Sequence, residues 1–147
     1  MTKRLLPGDV LEVPLAQGLG YLLYVGRHAE YGDAITVSPA VVNQRPSVTV
    51  GLFDEGYVTF YPARAALAQG LVTVVGRLPA PALPTVLRRA GVRTGRRVET
   101  WIIEDESGET MKRTLDGKER LIPIAAIWNH EFLIHRIAEG WRPEQEG

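Results

Sequence analysis

The residues with the clearest chemical potential are a run of arginines in the second half of the chain. No acidic residue interrupts this run, which consists of Arg88, Arg89, Arg93, Arg96 and Arg97. A guanidinium group donates two parallel hydrogen bonds to a carboxylate or a phosphate, so such a cluster is suited to binding either group. A solvated loop, partly neutralised by nearby acids, is the simpler interpretation for most of the run. We expect two or three of these arginines to lie in an interface.

A cluster of carboxylates surrounds a predicted turn at Ser107-Gly108. Crowded carboxylates at a strand end can bind a cation, but their spacing does not match the calcium-binding loop, so we expect a solvated acidic tip. Trp101 lies between the arginines and the acids, and it is a candidate hot spot if exposed, because Trp, Tyr and Arg dominate protein interfaces. Besides the arginines, the candidate binding residues are therefore Trp101, Glu104, Asp105 and Glu106.

The three histidines match no familiar metal or catalytic motif. His130 and His135 are five positions apart, about 140° round a helix, whereas the zinc protease motif needs a spacing of four. A shared metal site would also require His28, in a predicted loop, to converge on them. The chain has no cysteine, no G-x-S-x-G elbow and no glycine-rich phosphate loop. We therefore predict no catalytic residue, no metal ligand and no cofactor.

Composition indicates one globular domain over residues 1–147. Apolar residues make up 45% of the chain and charged residues 23%, which is ordinary for a folded protein. Seventeen basic residues balance seventeen acidic ones, which makes a nucleic-acid partner less expected. The N-terminal apolar run stops at Pro7, too early for a signal peptide, and no stretch has the length of a membrane helix. We expect a soluble, cytoplasmic protein without membrane contact.

Alternating apolar residues and turn signals predict a mostly β (α+β) fold, with a twisted antiparallel sheet or small barrel. One helix begins after the N-cap Asn129, packs on the sheet, and precedes a frayed tail at 142–147. A short helical turn is predicted at 63–69 and an extended proline-rich segment at 78–84. The turn signal Asp116-Gly117 predicts a hairpin. The predicted strands are 10–15, 21–25, 34–37, 48–53, 57–61, 71–75, 98–103, 110–115 and 118–122.

The first part of the chain resembles the immunity protein 26 family of bacterial polymorphic toxin systems. The motifs are Gly8-Asp-Val-Leu-Glu-Val-Pro-Leu15, a glycine-containing loop, and Gly20-Tyr-Leu-Leu-Tyr-Val-Gly-Arg27. Val75-Gly76 before the proline-rich stretch and His135-Arg136-Ile137 in the closing helix are similar to later parts of the family. The resemblance implies a non-enzymatic protein that neutralises a cognate toxin by binding it, and it implies no catalytic residues.

Two other functions remain open from the residues alone. One is a nucleic-acid- or nucleotide-binding β-barrel module that uses the same arginines. The other is a hydrolase with an unrecognised site that includes His28, His130 or His135, which would require a deep pocket. An exposed edge strand also makes a homodimer a possible assembly.

Overall fold

Alternating apolar residues place two long antiparallel strands at the start of the fold. We obtained a computed structural model, which describes residues 4–47, 49 and 51–146. Strand β1 (Asp9–Leu15) pairs with β2 (Gly18–His28) through a tight turn, so that Val10 lies opposite Leu23 and Leu15 opposite Gly18. Both strands are buried over most of their length because the sheet is covered on both faces.

The first sheet is completed by three shorter strands. Within the described residues its order is β4-β3-β2-β1-β5, and every neighbouring pair is antiparallel. A short helix, α1, connects β4 to β5. The bounds are β3 (Gly32–Val37), β4 (Tyr57–Phe60), α1 (Ala63–Ala68) and β5 (Thr73–Arg77).

The second sheet is a three-stranded antiparallel meander. It consists of β6 (Leu87–Thr94), β7 (Arg97–Asp105) and β8 (Gly108–Lys112), in that order. One face of this meander packs Trp101, Ile103 and Leu115 into a small core. The proline-rich segment 78–84, which has no regular secondary structure, leads from the first sheet to the second.

Helix α2 (His130–Ala138) closes the main core. Its N-cap Asn129 accepts a hydrogen bond at 2.8 Å from the backbone N–H of Phe132, which satisfies one free donor of the first turn. Leu133 and Ile137 form the buried stripe and pack with residues of β1 and β2. In the part of the chain described by the structure, no helix combines the length and apolar character needed to cross a membrane.

The two sheets share apolar contacts, so the predicted single-domain character is supported. Leu87 of β6 packs against Val25, Ala34 and Phe60 of the first sheet. The segment before α2 adds isolated parallel bridges to both sheets, at Phe60–Ile127 and Arg88–Ile124. The predicted mostly β fold with a C-terminal helix on the sheet is confirmed, and over the described ranges neither sheet closes into a barrel.

Several predicted elements differ from the structure. A strand was predicted at 48–53, but residues 51–55 form turns. Val48 and Val50 lie outside the described residues. Local hydrogen bonds within these turns, such as Gly56 N–H to Phe53 O at 3.0 Å, replace strand pairing. The last predicted strand, 118–122, contains instead a 3-10 helix at Glu119–Leu121. Asp116 and Glu119 cap each other's backbone N–H groups there, which favours a helical turn over a hairpin.

The arginine run and the C-terminal residues are also more ordered than predicted. The arginine run at 88–97, interpreted as a solvated loop, lies instead mostly in strand β6 (Leu87–Thr94), and its last arginine begins β7. Residues 142–146, for which we predicted a frayed tail, include a 3-10 helix at Pro143–Gln145, and Pro143 itself is buried. The strand forms because β6 pairs with β7 along its length, and the C-terminal segment is held by hydrogen bonds from the side chain of Arg88 to Pro143 and Glu146.

Candidate functional site

The strand conformation of β6 separates the predicted arginine cluster. Successive side chains of a strand point to opposite faces, so neighbouring arginines cannot share one surface. Arg88 is fully buried, whereas Arg89 lies on the opposite face, paired with acidic residues of β7 and β8. Arg88, one of the five candidate binding arginines, is therefore buried and is not part of the surface that a partner could contact.

Arg88 binds the backbone of two other segments. Its guanidinium donates to the carbonyl oxygens of Ile122 at 3.0 Å and Arg120 at 3.1 Å, next to the first 3-10 helix. It also donates to the carbonyl oxygens of Pro143, at 2.7 Å, and Glu146. Burial lowers the pKa of Arg88 to about 10, so the group stays charged at neutral pH. Arg88 is thus a structural clamp for the C-terminal segment.

The acidic cluster is largely engaged in local contacts. Arg89 forms ion pairs with Glu104 and, at 3.1 Å, with Glu109. The carboxylate of Asp105 accepts hydrogen bonds from the backbone N–H and the hydroxyl of Ser107, and these bonds lower its pKa. Glu106 is exposed at the tip of the hairpin. These contacts indicate that the acidic residues mainly stabilise the β7–β8 hairpin.

Two of the remaining arginines of the run, Arg96 and Arg97, line a polar pocket of about 400 Å³ beside the β6–β7 hairpin. Arg96 and Arg97 were expected from the sequence, and they are joined by two arginines that the sequence analysis missed. Those two, Arg113 and Arg120, follow β8 and are brought here by the fold. Two acids, Glu99 and Glu146, also line the pocket. Glu99 is 3.8 Å from Arg97, and Glu146 is 3.4 Å from Arg136.

Trp101 lines the same pocket but is not the exposed hot spot that we considered. Only 2% of it is exposed. The centre of its ring lies 4.3 Å from the guanidinium carbon of Arg88, a cation–π contact. Its indole Nε1 is buried and has no acceptor among the described residues. A buried donor without a partner is rare in native proteins.

Arg93 belongs to a neighbouring surface at the start of α2. It lines a cavity of about 320 Å³ together with Trp128, Phe132, Arg136 and Trp141, among others. Arg136 stacks over Phe132 and over Trp141, with its guanidinium carbon 4.8 Å from each ring centre.

Two large apolar side chains of this region are exposed. Ile127 is 61% exposed and Phe132 40%, and both line a small adjoining cavity. Phe132 also lines an open groove of about 620 Å³ along the outer side of α2. We call Ile127, Phe132 and Arg93 with their neighbours Trp128 and Arg136 the aromatic–arginine surface.

The histidines lie in three different environments. The Nδ1 of His28 accepts from backbone N–H groups of its own turn, and the exposed His135 is 3.4 Å from Glu139. The Nδ1 of His130 is 2.8 Å from the hydroxyl of Tyr61, and burial lowers the pKa of His130. No set of three His, Asp or Glu side chains is placed to hold a metal within the described ranges.

Comparisons with known proteins add no relative to this description. No family model matches the chain, and neither the curated proteins nor the solved structures contain a match.

Proposed function

We propose that this chain is a non-enzymatic, cytoplasmic binding protein that resembles immunity protein 26 and neutralises a bacterial toxin by protein–protein binding. The observation that carries the proposal is the aromatic–arginine surface. Exposed apolar groups beside arginine are the typical centre of a protein interface. The resemblance of the N-terminal residues supplies the kind of partner.

The exposed apolar groups provide the attraction. Burying the side chain of Phe132 or Ile127 against a partner removes apolar surface from water, worth about 1.5–3 kcal/mol for a fully buried side chain. Trp128 lies directly behind Phe132, with 5.2 Å between their ring centres, so the anchor rests on a rigid core. A pre-organised anchor loses less conformational entropy on binding.

The charged groups indicate an acidic partner. Arg93 has no carboxylate within 4.0 Å among the residues that the structure describes, and the nearby pocket adds more arginines than acids. Opposite charge on the partner accelerates association and disfavours wrong partners. The acidic hairpin is the less suitable alternative because Arg89 already pairs with two of its carboxylates.

A nucleic-acid module has less support. Proteins that bind single strands use exposed aromatic rings on which bases stack. Trp101, the aromatic residue that follows the arginine run, is 2% exposed and covered by Arg88, and the partly exposed ring of Phe132 is already stacked with Arg136. The expected β-barrel of such a module also contrasts with the two open sheets described above.

The test combines capture with growth rescue. The protein is used as bait in lysate of its own host, and each captured protein is expressed alone and together with the bait. We expect one captured protein to stop growth and co-expression to restore it. Ile127→Asp should weaken binding to this protein at least tenfold, since a charge would then be buried. Met111→Asp is the matched control, because Met111 is also exposed, at 69%, but lies on β8.

Three outcomes would contradict the proposal. The first is capture of nucleic acid instead of protein. The second is a captured protein whose expression is harmless. The third is equal affinity of the Ile127→Asp and Met111→Asp variants for the captured protein, which would place the interface elsewhere.

A further inference from the structure

We infer that the arginine-rich pocket is a binding site for a small molecule that carries a phosphate group. This site is separate from the aromatic–arginine surface, and the inference requires no protein partner. It is carried by the surplus of cationic groups in the pocket together with the unpaired indole N–H of Trp101.

The charge of the pocket is positive. Four arginines and two glutamates line it, which leaves an excess of two positive charges. One acid, Glu146, is also 3.4 Å from Arg136 outside the pocket. Arg96, Arg113 and Arg120 have no carboxylate within 4.0 Å among the described residues. The two glutamates balance only part of this charge, so a bound anion would reduce the remaining repulsion between the guanidinium groups.

The indole N–H of Trp101 is an independent indication. An indole nitrogen can only donate, so it requires an acceptor such as an oxyanion. Trp101 lines the pocket and its Nε1 is buried without an acceptor in the described part of the protein. A phosphate in the pocket would neutralise the arginines and lie against the ring of Trp101.

The walls of the pocket are held in place before any ligand binds. Arg120 and Glu146 line the pocket, and the backbone carbonyl of each accepts a hydrogen bond from Arg88. The buried guanidinium thus fixes the relative position of two walls that are distant in sequence. Such pre-organisation lowers the entropic cost of binding.

Charge and size favour a phosphate monoester over a carboxylate. A phosphate monoester carries a charge of about −1.5 to −2 at neutral pH and three acceptor oxygens, which matches the excess of two positive charges. A carboxylate carries one charge and is satisfied by a single arginine fork. The volume of about 400 Å³ lies in the range of small-molecule sites, so the pocket also has room for an organic part of the ligand.

The three tryptophan indole N–H groups allow a direct test by ¹H–¹⁵N NMR spectroscopy. The assigned indole resonances are followed while phenyl phosphate is added to the intact protein at constant ionic strength. We expect a saturable shift of the Trp101 resonance with half-saturation below about 1 mM, and little change for Trp128 and Trp141. Sodium acetate and sodium chloride at the same ionic strength should cause no saturable shift.

Variants connect the shift to the pocket. Arg113→Gln and Arg120→Gln should each weaken phenyl phosphate binding at least tenfold. Arg27→Gln is the matched control, because Arg27 is exposed on β2 and does not line the pocket. The inference fails if the Trp101 resonance does not shift saturably, if acetate acts as well as phenyl phosphate, or if the Arg27→Gln variant loses as much affinity as the others. None of these outcomes affects the toxin-binding proposal.

Discussion

Replacing Arg88 by methionine should destabilise the fold more than any replacement of a surface arginine. Methionine keeps the apolar stem of the side chain but has no atom at the position of the guanidinium carbon, so the contact of that group with Trp101 is lost as well. It cannot donate hydrogen bonds, and the four carbonyl oxygens that Arg88 serves lose their donor. The replacement therefore removes the hydrogen bonds of the clamp together with the cation–π contact.

The expected loss follows from these four bonds. An unsatisfied buried polar group costs about 1–3 kcal/mol. The carbonyls of Pro143 and Glu146 can turn to water if the C-terminal segment detaches, but those of Arg120 and Ile122 remain within the fold. Removing the guanidinium also removes the cost of burying its charge. We therefore expect the free energy of unfolding to fall by about 3 kcal/mol.

Urea denaturation followed by tryptophan fluorescence measures this loss, provided that the m-value is unchanged. Arg96→Met, at an exposed position of the same hairpin, is the control and should stay within about 0.5 kcal/mol of the wild type. Arg88→Lys should be intermediate because an ammonium has three donors and a guanidinium five. A loss below about 1 kcal/mol for Arg88→Met, or a loss equal to that of Arg96→Met, would refute the clamp.

Two further predictions concern His130 and Gly8. Burial lowers the pKa of His130, so the folded state binds a proton at this residue less tightly than the unfolded state does. The free energy of unfolding should therefore fall as the pH decreases below the usual histidine pKa of about 6.5. The free energy of unfolding is measured at pH 7.5 and 5.5, and its decrease should be smaller for His130→Gln than for the wild type. His135→Gln, at an exposed position, is the control and should show the full decrease. An equal decrease for both variants would contradict the role of His130. Gly8 has a φ of +95°, and an added Cβ would lie 2.3 Å from the carbonyl oxygen of Leu78, so Gly8→Ala should cost about 2–4 kcal/mol. Gly117→Ala is the control, because the added Cβ has no atom within 4 Å, and it should be nearly neutral in the same thermal or urea denaturation. A similar loss of stability for both alanine variants would show that small shifts relieve the clash at Gly8.

The first sheet was predictable because its strands follow simple local rules. In β1 and β2, runs of apolar residues end at glycine or proline, and the turns between strands carry the expected residues. Helix α2 was predictable from its cap, Asn129, and its apolar stripe. In these elements local preference and tertiary packing agree, which is the condition under which sequence patterns are informative.

The second sheet shows where sequence patterns fail. Strand β6 contains Arg88 and Arg89, and consecutive charges are typical of a solvated segment rather than a strand with one buried side. The interior position of Arg88 depends on carbonyl groups 32 to 58 residues away in the chain. A prediction from local sequence does not include those acceptors, so it could not place Arg88 in the interior.

The candidate site was only partly predictable for the same reason. Arg96 and Arg97 belong to the predicted arginine run, but Arg113 and Arg120 lie after β8, outside that run. Pairing between β7 and β8 and the 3-10 helix at Glu119–Leu121 bring them to the pocket. Nothing in their local sequence distinguishes them from the other arginines of the chain.

The positions of the three tryptophans allow the unfolding of each sheet to be followed separately by fluorescence. Trp101 lies in the small core of the second sheet, whereas Trp128 and Trp141 pack together in the main core, with 5.2 Å between their ring centres. A protein with phenylalanine at positions 128 and 141 emits from the second sheet alone, and one with phenylalanine at 101 emits from the main core alone. Coincident or separate unfolding curves of these two proteins would report directly whether the sheets lose their structure in one cooperative step.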